Sequence, residues 1–461
     1  MGNIIADIND MVWGVPALVL ILGVGLYLTV RLNFVQILGF PEAFRLFCRQ
    51  LRPGKGSSSY RCLCTALAAT VGTGNLVGVA GAICLGGPGA VFWIWVCGIL
   101  GMVTKYAEAA LAVRYREKTR EGYSGGPMYI ITHALPRKMH FLAWFYGLFG
   151  LIAAFGVGNA TQISAAVTGI REACRAYQLE LTPSAQLLIT SVLAVLLGVL
   201  LLGGAKAIGK AAEGLVPFAA AGYILLCLGV LVMRRNQLAQ GFSMIFRGAF
   251  SPKAVTGGMI GSAFQTLRIG CSRGVFTNEA GMGTAAIAHA EAEGVHPARQ
   301  GLMGIMEVFL DTLVLCTLTA LVILVSGVPV PYGVDAGGEL TVSAFSQVYG
   351  GAAAAVLAAA LTLFAVATVL GWGLYGARCA EFLFGSRVWP YFAAAQVVTV
   401  FAGSFLETGL LWQLAEAVNG LMAIPNLIML ALLAPEAARL TKEYRKSGPS
   451  EAGGGTYADF H

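Results

Sequence analysis

Charge is the scarcest property of this chain. Only 11% of its 461 residues are Asp, Glu, Lys or Arg, against roughly a quarter in ordinary soluble domains. That shortfall excludes a water-soluble globular protein. Histidine is almost as scarce: His133, His140, His289, His296 and His461 show no H-x-x-x-H or similar spacing, so no metal centre is expected. No nucleophile and base stand at usable spacing, and the histidines are peripheral to the polar stretches, so the chain is not read as an enzyme and no bound cofactor is expected. Of the ten cysteines, Cys84, Cys97, Cys227 and Cys316 sit inside apolar runs, where they read as small apolar residues rather than a disulfide framework.

What is present is hydrophobicity. Apolar residues make up 57% of the chain and mean hydropathy is +0.74, which describes a polytopic membrane protein. A window of about 20 residues gives eleven candidate spans, at 11–30, 61–84, 88–112, 141–169, 185–203, 211–233, 256–288, 301–327, 352–378, 386–405 and 413–434. The first reads as a helix and not a signal peptide, because residues 1–10 hold Asp7 and Asp10 but no Lys or Arg, and no small-residue cleavage site precedes Arg31. The start MGNIIA lacks the Ser or Thr that myristoylation prefers.

Loop charge sets the orientation. Arg31, Arg45, Arg49, Arg52, Lys55 and Arg61 lie between the first two spans, and Arg114, Arg116, Lys118, Arg120, Arg137 and Lys138 between the third and fourth. By the positive-inside rule those loops are cytoplasmic and the N-terminus is outside. Eleven spans then leave the C-terminus cytoplasmic, consistent with Arg439, Lys442, Arg445 and Lys446, and the loop 328–351, with Asp335 and Glu339 but no Lys or Arg, outside. The loop carrying Arg234, Arg235, Arg247 and Lys253 dissents. The net charge of +7 is thus a topology signal and implies no nucleic-acid partner. Residues 33–52 and 236–250 mix Phe, Leu and Ile with Arg at helical spacing and read as interfacial segments; the tail SGPSEAGGGTYADF reads as disordered.

Within the second span lies ATVGTGNLVGVA, residues 69–80. Its glycines approach a dinucleotide fingerprint, but no strand precedes them, and no Lys-Ser/Thr pair or ribose-binding acid in a βαβ unit accompanies them. Two readings stay open: close packing of small residues between membrane helices, or a helix break lining a cavity, since irregular backbone in a bilayer must be buried in protein or face one. A second glycine-rich interruption, QTLRIGCSRGVFTNEAGMG at 265–283, falls five spans later. Five helices per repeat invert the second copy, and paired interruptions of this kind point to a transporter's midplane site. A broken helix offers amides to a carboxylate and carbonyls to a hard cation or an ammonium group. A zwitterionic amino acid fits both ends.

Polar residues elsewhere in apolar spans follow the same logic. Helical rotation places Phe155, Gly158, Asn159 and Gln162 on one face of the fourth span, and Thr362, Ala365, Thr368, Val369 and Trp372 in one stripe of the ninth. An interhelical amide hydrogen bond is the alternative for Asn159 or Gln162. Glu279 is a functional candidate by its position in a span, or a partner for backbone amides, Arg268 or Arg273. Glu307 and Asp311, four apart, are expected on one face, with one protonated or a cation nearby. Lys105, Glu108 and Arg114 are expected to snorkel or pair.

Together TVGTGNLVGVAGAICLGGPGAVFWIW (70–95), SGGPMYI (124–130), FGVGN (155–159), RGVFTNEAGMGTAAIAHA (273–290) and NGLMAIPNL (419–427) resemble the alanine/glycine:cation symporters of the amino acid–polyamine–organocation superfamily. The resemblance spans roughly residues 60–432. It implies an all-α, leucine-transporter-like 5+5 inverted-repeat core with one extra N-terminal helix: 1–59 for that helix and a cytoplasmic interfacial segment, 60–235 for the first repeat, 236–255 for a connector, 256–434 for the second repeat and 435–461 for a cytoplasmic tail. It implies import of alanine or glycine with Na⁺ across the cell membrane; H⁺ coupling and an ion channel are the alternatives. Carried over by position, substrate would meet Thr70, Gly72, Thr73, Gly74, Asn75, Gln162, Gly270, Gly274, Thr368, Val369 and Trp372, and Na⁺ would meet Thr70, Gly72 and Thr362. Ser164 stands where many members carry Asn, which leaves substrate size preference open.

Overall fold

The computed structural model describes residues 14–51, 58–119, 122–334, 337–405 and 408–451, the side chains of 15, 408–416 and 447–451 excepted. Asp7, Asp10, Arg52, Lys55, Arg120, Asp335 and the last ten residues lie outside the described set. The fold is almost wholly helical, as it must be where backbone polar groups have no water; a two-residue-linked hairpin of β1 (Glu117–Thr119) and β2 (Gly122–Ser124), with Lys118 opposite Tyr123, is the exception among the described residues.

Helix α1, Val15–Arg31, ends at a turn through left-handed Asn33 and Phe34, and α2, Phe40–Gln50, follows with exposed Phe44 beside Arg45 and Arg49, an amphipathic face suited to the membrane interface. The second span is broken: α3 (Ser58–Thr70) gives way to a π-helical turn at Gly74–Gly78 and α4 (Val79–Gly86), with a 49° bend. Helix α5 (Ala90–Arg114) is continuous. The fourth span is α6 (Phe141–Phe155) and α7 (Thr161–Ala176), joined by a second π-turn at Gly156–Ala160. Then come α8 (Pro183–Leu202), capped by the Thr182 hydroxyl, α9 (Gly204–Met233) and α10 (Leu238–Phe250).

The second interruption lies within the expected 265–283 but at its end, not near Gly270 to Gly274. Helix α11 (Ala263–Asn278) runs unbroken through Gly270 and Gly274, and the chain breaks at 279–283, where Glu279, Gly281 and Gly283 all have positive φ, before α12 (Thr284–His289). The reason is packing. A Cβ on Gly270 would meet Trp93 Cβ at 2.7 Å and crowd the Ala90 carbonyl, and one on Gly274 would meet Cys97 Cβ at 3.2 Å, so the two glycines let α11 lie against α5.

Helix α13 (Pro297–Val308) packs along α5 and passes through a third π-turn, Phe309–Cys316, into α14 (Thr317–Ser326). The outside-assigned loop contains its own helix, α15 (Gly337–Tyr349), docked on the first break by the Thr341 hydroxyl to the Leu76 carbonyl at 2.9 Å. Helices α16 (Ala352–Phe384) and α17 (Trp389–Phe405) precede α18, which runs from Thr408 to Glu451. The helix covers residues 447–451 of the segment expected as a disordered tail, whose remainder lies outside the described residues. Among the described residues eight helices are long and apolar enough to cross a membrane, or nine with the bent pair counted once; α1 is a shorter apolar helix.

Candidate functional site

The first break, α7 and α16 meet in the molecule's interior. Thr73 donates its hydroxyl to Gln162 Oε1 at 2.8 Å, and Gln162 Nε2 donates to the Val157 carbonyl at 3.0 Å, inside the second π-turn. A Cβ built on Gly72 would lie 2.5 Å from Thr368 Oγ1 and 3.6 Å from Gln162 Oε1. Gly72, Thr73, Gln162 and Thr368 are thus one cluster, all buried. The Thr368 hydroxyl has no hydrogen-bond partner among the described residues; a buried polar atom left this way is a natural contact for a polar ligand. Gly158 packs directly on Trp372 Cβ, and Val369 is buried in the same stretch.

Trp372 is held from the other break. Its indole Nε1 donates to Glu279 Oε1 at 2.7 Å, while Glu279 Oε2 accepts from the Thr284 hydroxyl at 2.7 Å. Glu279 therefore bridges the second interruption to α16 through Trp372 instead of pairing with Arg268 or Arg273. Gly74 and Gly78 face Thr277 of α11, the nearest approach from a Gly74 Cβ being 3.6 Å. The first break thus packs against the last turn of α11, immediately before the second break.

Asn75 has a different task from an open substrate ligand. Its Oδ1 accepts from the Gly72 amide at 2.9 Å, and its Nδ2 donates to the Asp311 carbonyl and to Asp311 Oδ1, at 3.1 and 2.7 Å. One side chain ties the first break to the third π-turn. Asn159 likewise turns away, donating to the carbonyl and Oε1 of Gln396 on α17; this is the interhelical amide bond. Thr70 and Thr362 donate to their own helices' Ala66 and Ala358 carbonyls at 3.3 and 2.8 Å. Gly270 and Gly274 are outside the cluster, on the α5 face.

Beside the second break lies a buried polar network, in which Lys105 pairs, one of the two outcomes expected for it, and supplies the cation expected near Glu307. Lys105, fully buried, pairs with Glu307 at 2.7 Å, and Glu307 Oε2 also meets His289 Nε2 at 3.2 Å. Glu108 Oε1 accepts from the amides of Gly281 and Gly283, at 3.0 and 3.1 Å, and from Asn426 Nδ2 at 2.8 Å. The signal was Lys105 and Glu108 together in α5, too far from its charged end at Arg114 to reach water. Glu307 and Asp311 are separated in role because the π-turn starts between them: Glu307 meets Lys105, Asp311 meets Asn75.

The family model described as the sodium:alanine symporter family matches residues 1–454. The sodium/alanine symporter AgcS of Methanococcus maripaludis is 41% identical over 461 residues, covering 98% of each chain. The amino-acid carrier protein AlsT of Bacillus subtilis is 35% identical over 442 residues, covering 95% of this chain and 91% of its own. Among solved structures, MhsT in complex with L-phenylalanine matches with a TM-score of 0.56 at 12% identity, over 83% of this chain and 97% of that one, which shows a shared fold. The chain belongs to the sodium:alanine symporter family, and is a multi-pass membrane transporter, not an enzyme.

Proposed function

We propose that this protein imports a small neutral amino acid, alanine or glycine, together with Na⁺ by alternating access, using two five-helix inverted repeats at 60–235 and 256–434 after one extra helix. The observation that carries the reading is the Gly72–Thr73–Gln162–Thr368 cluster, where a bare glycine faces an unpartnered hydroxyl across a helix break. The substrate carboxylate would be met by amides of the break from Thr70 to Asn75, with Gln162, Val369 and Trp372 limiting its side chain. The close seat of Trp372 against Gly158 supports a small substrate. Na⁺ would lie near Thr70, Gly72 and Thr362, whose oxygens suit a hard cation. The names of AgcS and of the matching family favour Na⁺ and alanine over other pairs. The plasma or inner membrane, with the N-terminus outside, is the proposed location.

Uptake of labelled alanine into proteoliposomes, with and without an inward Na⁺ gradient, tests this. Accumulation only with the gradient is expected; equal accumulation without it would sink Na⁺ coupling. Proton coupling is the second reading, favoured by the buried carboxyl groups around the second break, and uptake driven by a pH gradient in Na⁺-free buffer would support it. Saturable uptake with counterflow would exclude a channel.

A further inference from the structure

Four buried carboxyl groups, Glu108, Glu279, Glu307 and Asp311, share the interior with Lys105, the one buried ammonium among the described residues. Lys105 contacts Glu307. His289 lies between Gln300, 2.6 Å from its Nδ1, and Glu307, 3.2 Å from its Nε2. An uncompensated charge in a membrane interior is expensive, and the usual resolution is a bound proton.

The hydrogen bonds say which group carries it. Glu307 accepts on both oxygens, from Lys105 and His289; Glu279 on both, from Trp372 and Thr284; Asp311 on both, from Asn75 and Thr312 at 2.8 Å. Glu108 accepts three times on Oε1, and its fully buried Oε2 has no partner among the described residues. The unpartnered hydroxyls of Tyr146 on α6 and Tyr375 on α16, both buried, lie within electrostatic reach of Glu108 and Glu279. The groups around Glu108 are therefore Lys105 on its own helix, Glu279 at the break, Glu307 on α13, the two tyrosines, and Asn426 on α18.

We propose that Glu108 is a proton-binding site, with an exchangeable proton on Oε2 while Oε1 holds the amides of Gly281 and Gly283 that shape the second break. Losing that proton places a negative charge beside the break, within electrostatic reach of Glu307. Because this concerns a proton and not the transported amino acid, it stands apart from the assignment of substrate and Na⁺.

Infrared difference spectroscopy of the purified full-length chain, titrated from neutral to alkaline pH, tests it without any substrate. A protonated-carboxyl C=O band is expected at neutral pH, lost in Glu108→Gln, and shifted to higher frequency in Asn426→Ala, which removes a donor to Oε1; the second variant serves if the first fails to fold. Beyond the midpoint, the protonated fraction should fall about tenfold per pH unit, and wild-type uptake should fall with it while Glu108→Gln shows no such alkaline limb. No such band, or a band unchanged in both variants, would overturn the assignment. A carboxylate band that responds to replacing Na⁺ by choline, with no protonated band, would assign the site to an alkali cation instead and also overturn it.

Discussion

At the scale of single residues, the two glycines of the first break have opposite tolerances. A methyl on Gly72 collides with Thr368 Oγ1, whereas one on Gly74 reaches Thr277 at an ordinary 3.6 Å. Gly72→Ala should weaken alanine affinity at least tenfold, about 1.4 kcal/mol, and Gly74→Ala should leave it near wild type; equal effects would detach the cluster from binding. Trp372→Phe keeps an aromatic wall but leaves Glu279 Oε1 without its indole donor. A loss of about 1–3 kcal/mol of stability is expected, read as a lower unfolding temperature in detergent together with weaker alanine binding. Gln162, Thr368 and Trp372 were legible in the sequence because a polar or bulky residue stands out in an apolar helix. Glu108 was not, since an acid near a helix end reads as solvated until the neighbouring helices bury it. Asn75 was legible as special but not in its role, which depends on Asp311 more than two hundred positions away.

Between elements, the helix breaks and the buried ion pair carry the packing. The first break was placed correctly from Gly72 and Gly74, whereas the second lies at Glu279–Gly283 and not at Gly270–Gly274. Glycines four apart serve helix contact as well as helix breaking, and only the facing surface, here α5, decides between them. Accordingly, Gly270→Ala should lower thermal stability by forcing α11 off α5, while protein that survives purification binds alanine normally. Weakened binding at unchanged stability would instead return Gly270 to the site. The three π-turns left no signature in the sequence, because one extra residue in a turn changes hydrogen bonding and not composition. Lys105 and Glu307 join α5 to α13, both fully buried. Glu307→Gln leaves a buried ammonium uncompensated and should cost about 3–5 kcal/mol, whereas Lys105→Met with Glu307→Leu should cost far less. Denaturation midpoints of the single and double variants decide it.

For the whole molecule, composition alone identified a polytopic membrane protein, and loop charge gave an orientation that accessibility can check. Cys48 is exposed on α2 beside Arg45 and Arg49, and Cys174, half-buried, sits near the far end of the fourth span. In a Cys174→Ser background, a membrane-impermeant thiol reagent should label inverted vesicles and spare right-side-out ones; the reverse would invert the topology. Helix number was less legible, because α1 is short and the seventh span is divided in two, so hydropathy and helix length count them differently. The central claim is that alanine and Na⁺ cross together. Its most direct measurement is radioactive Na⁺ accumulation in proteoliposomes under an inward alanine gradient, with no initial Na⁺ gradient. Coupled transport predicts Na⁺ accumulation above equilibrium, abolished in Gly72→Ala. Alanine entry with no Na⁺ accumulation would contradict it.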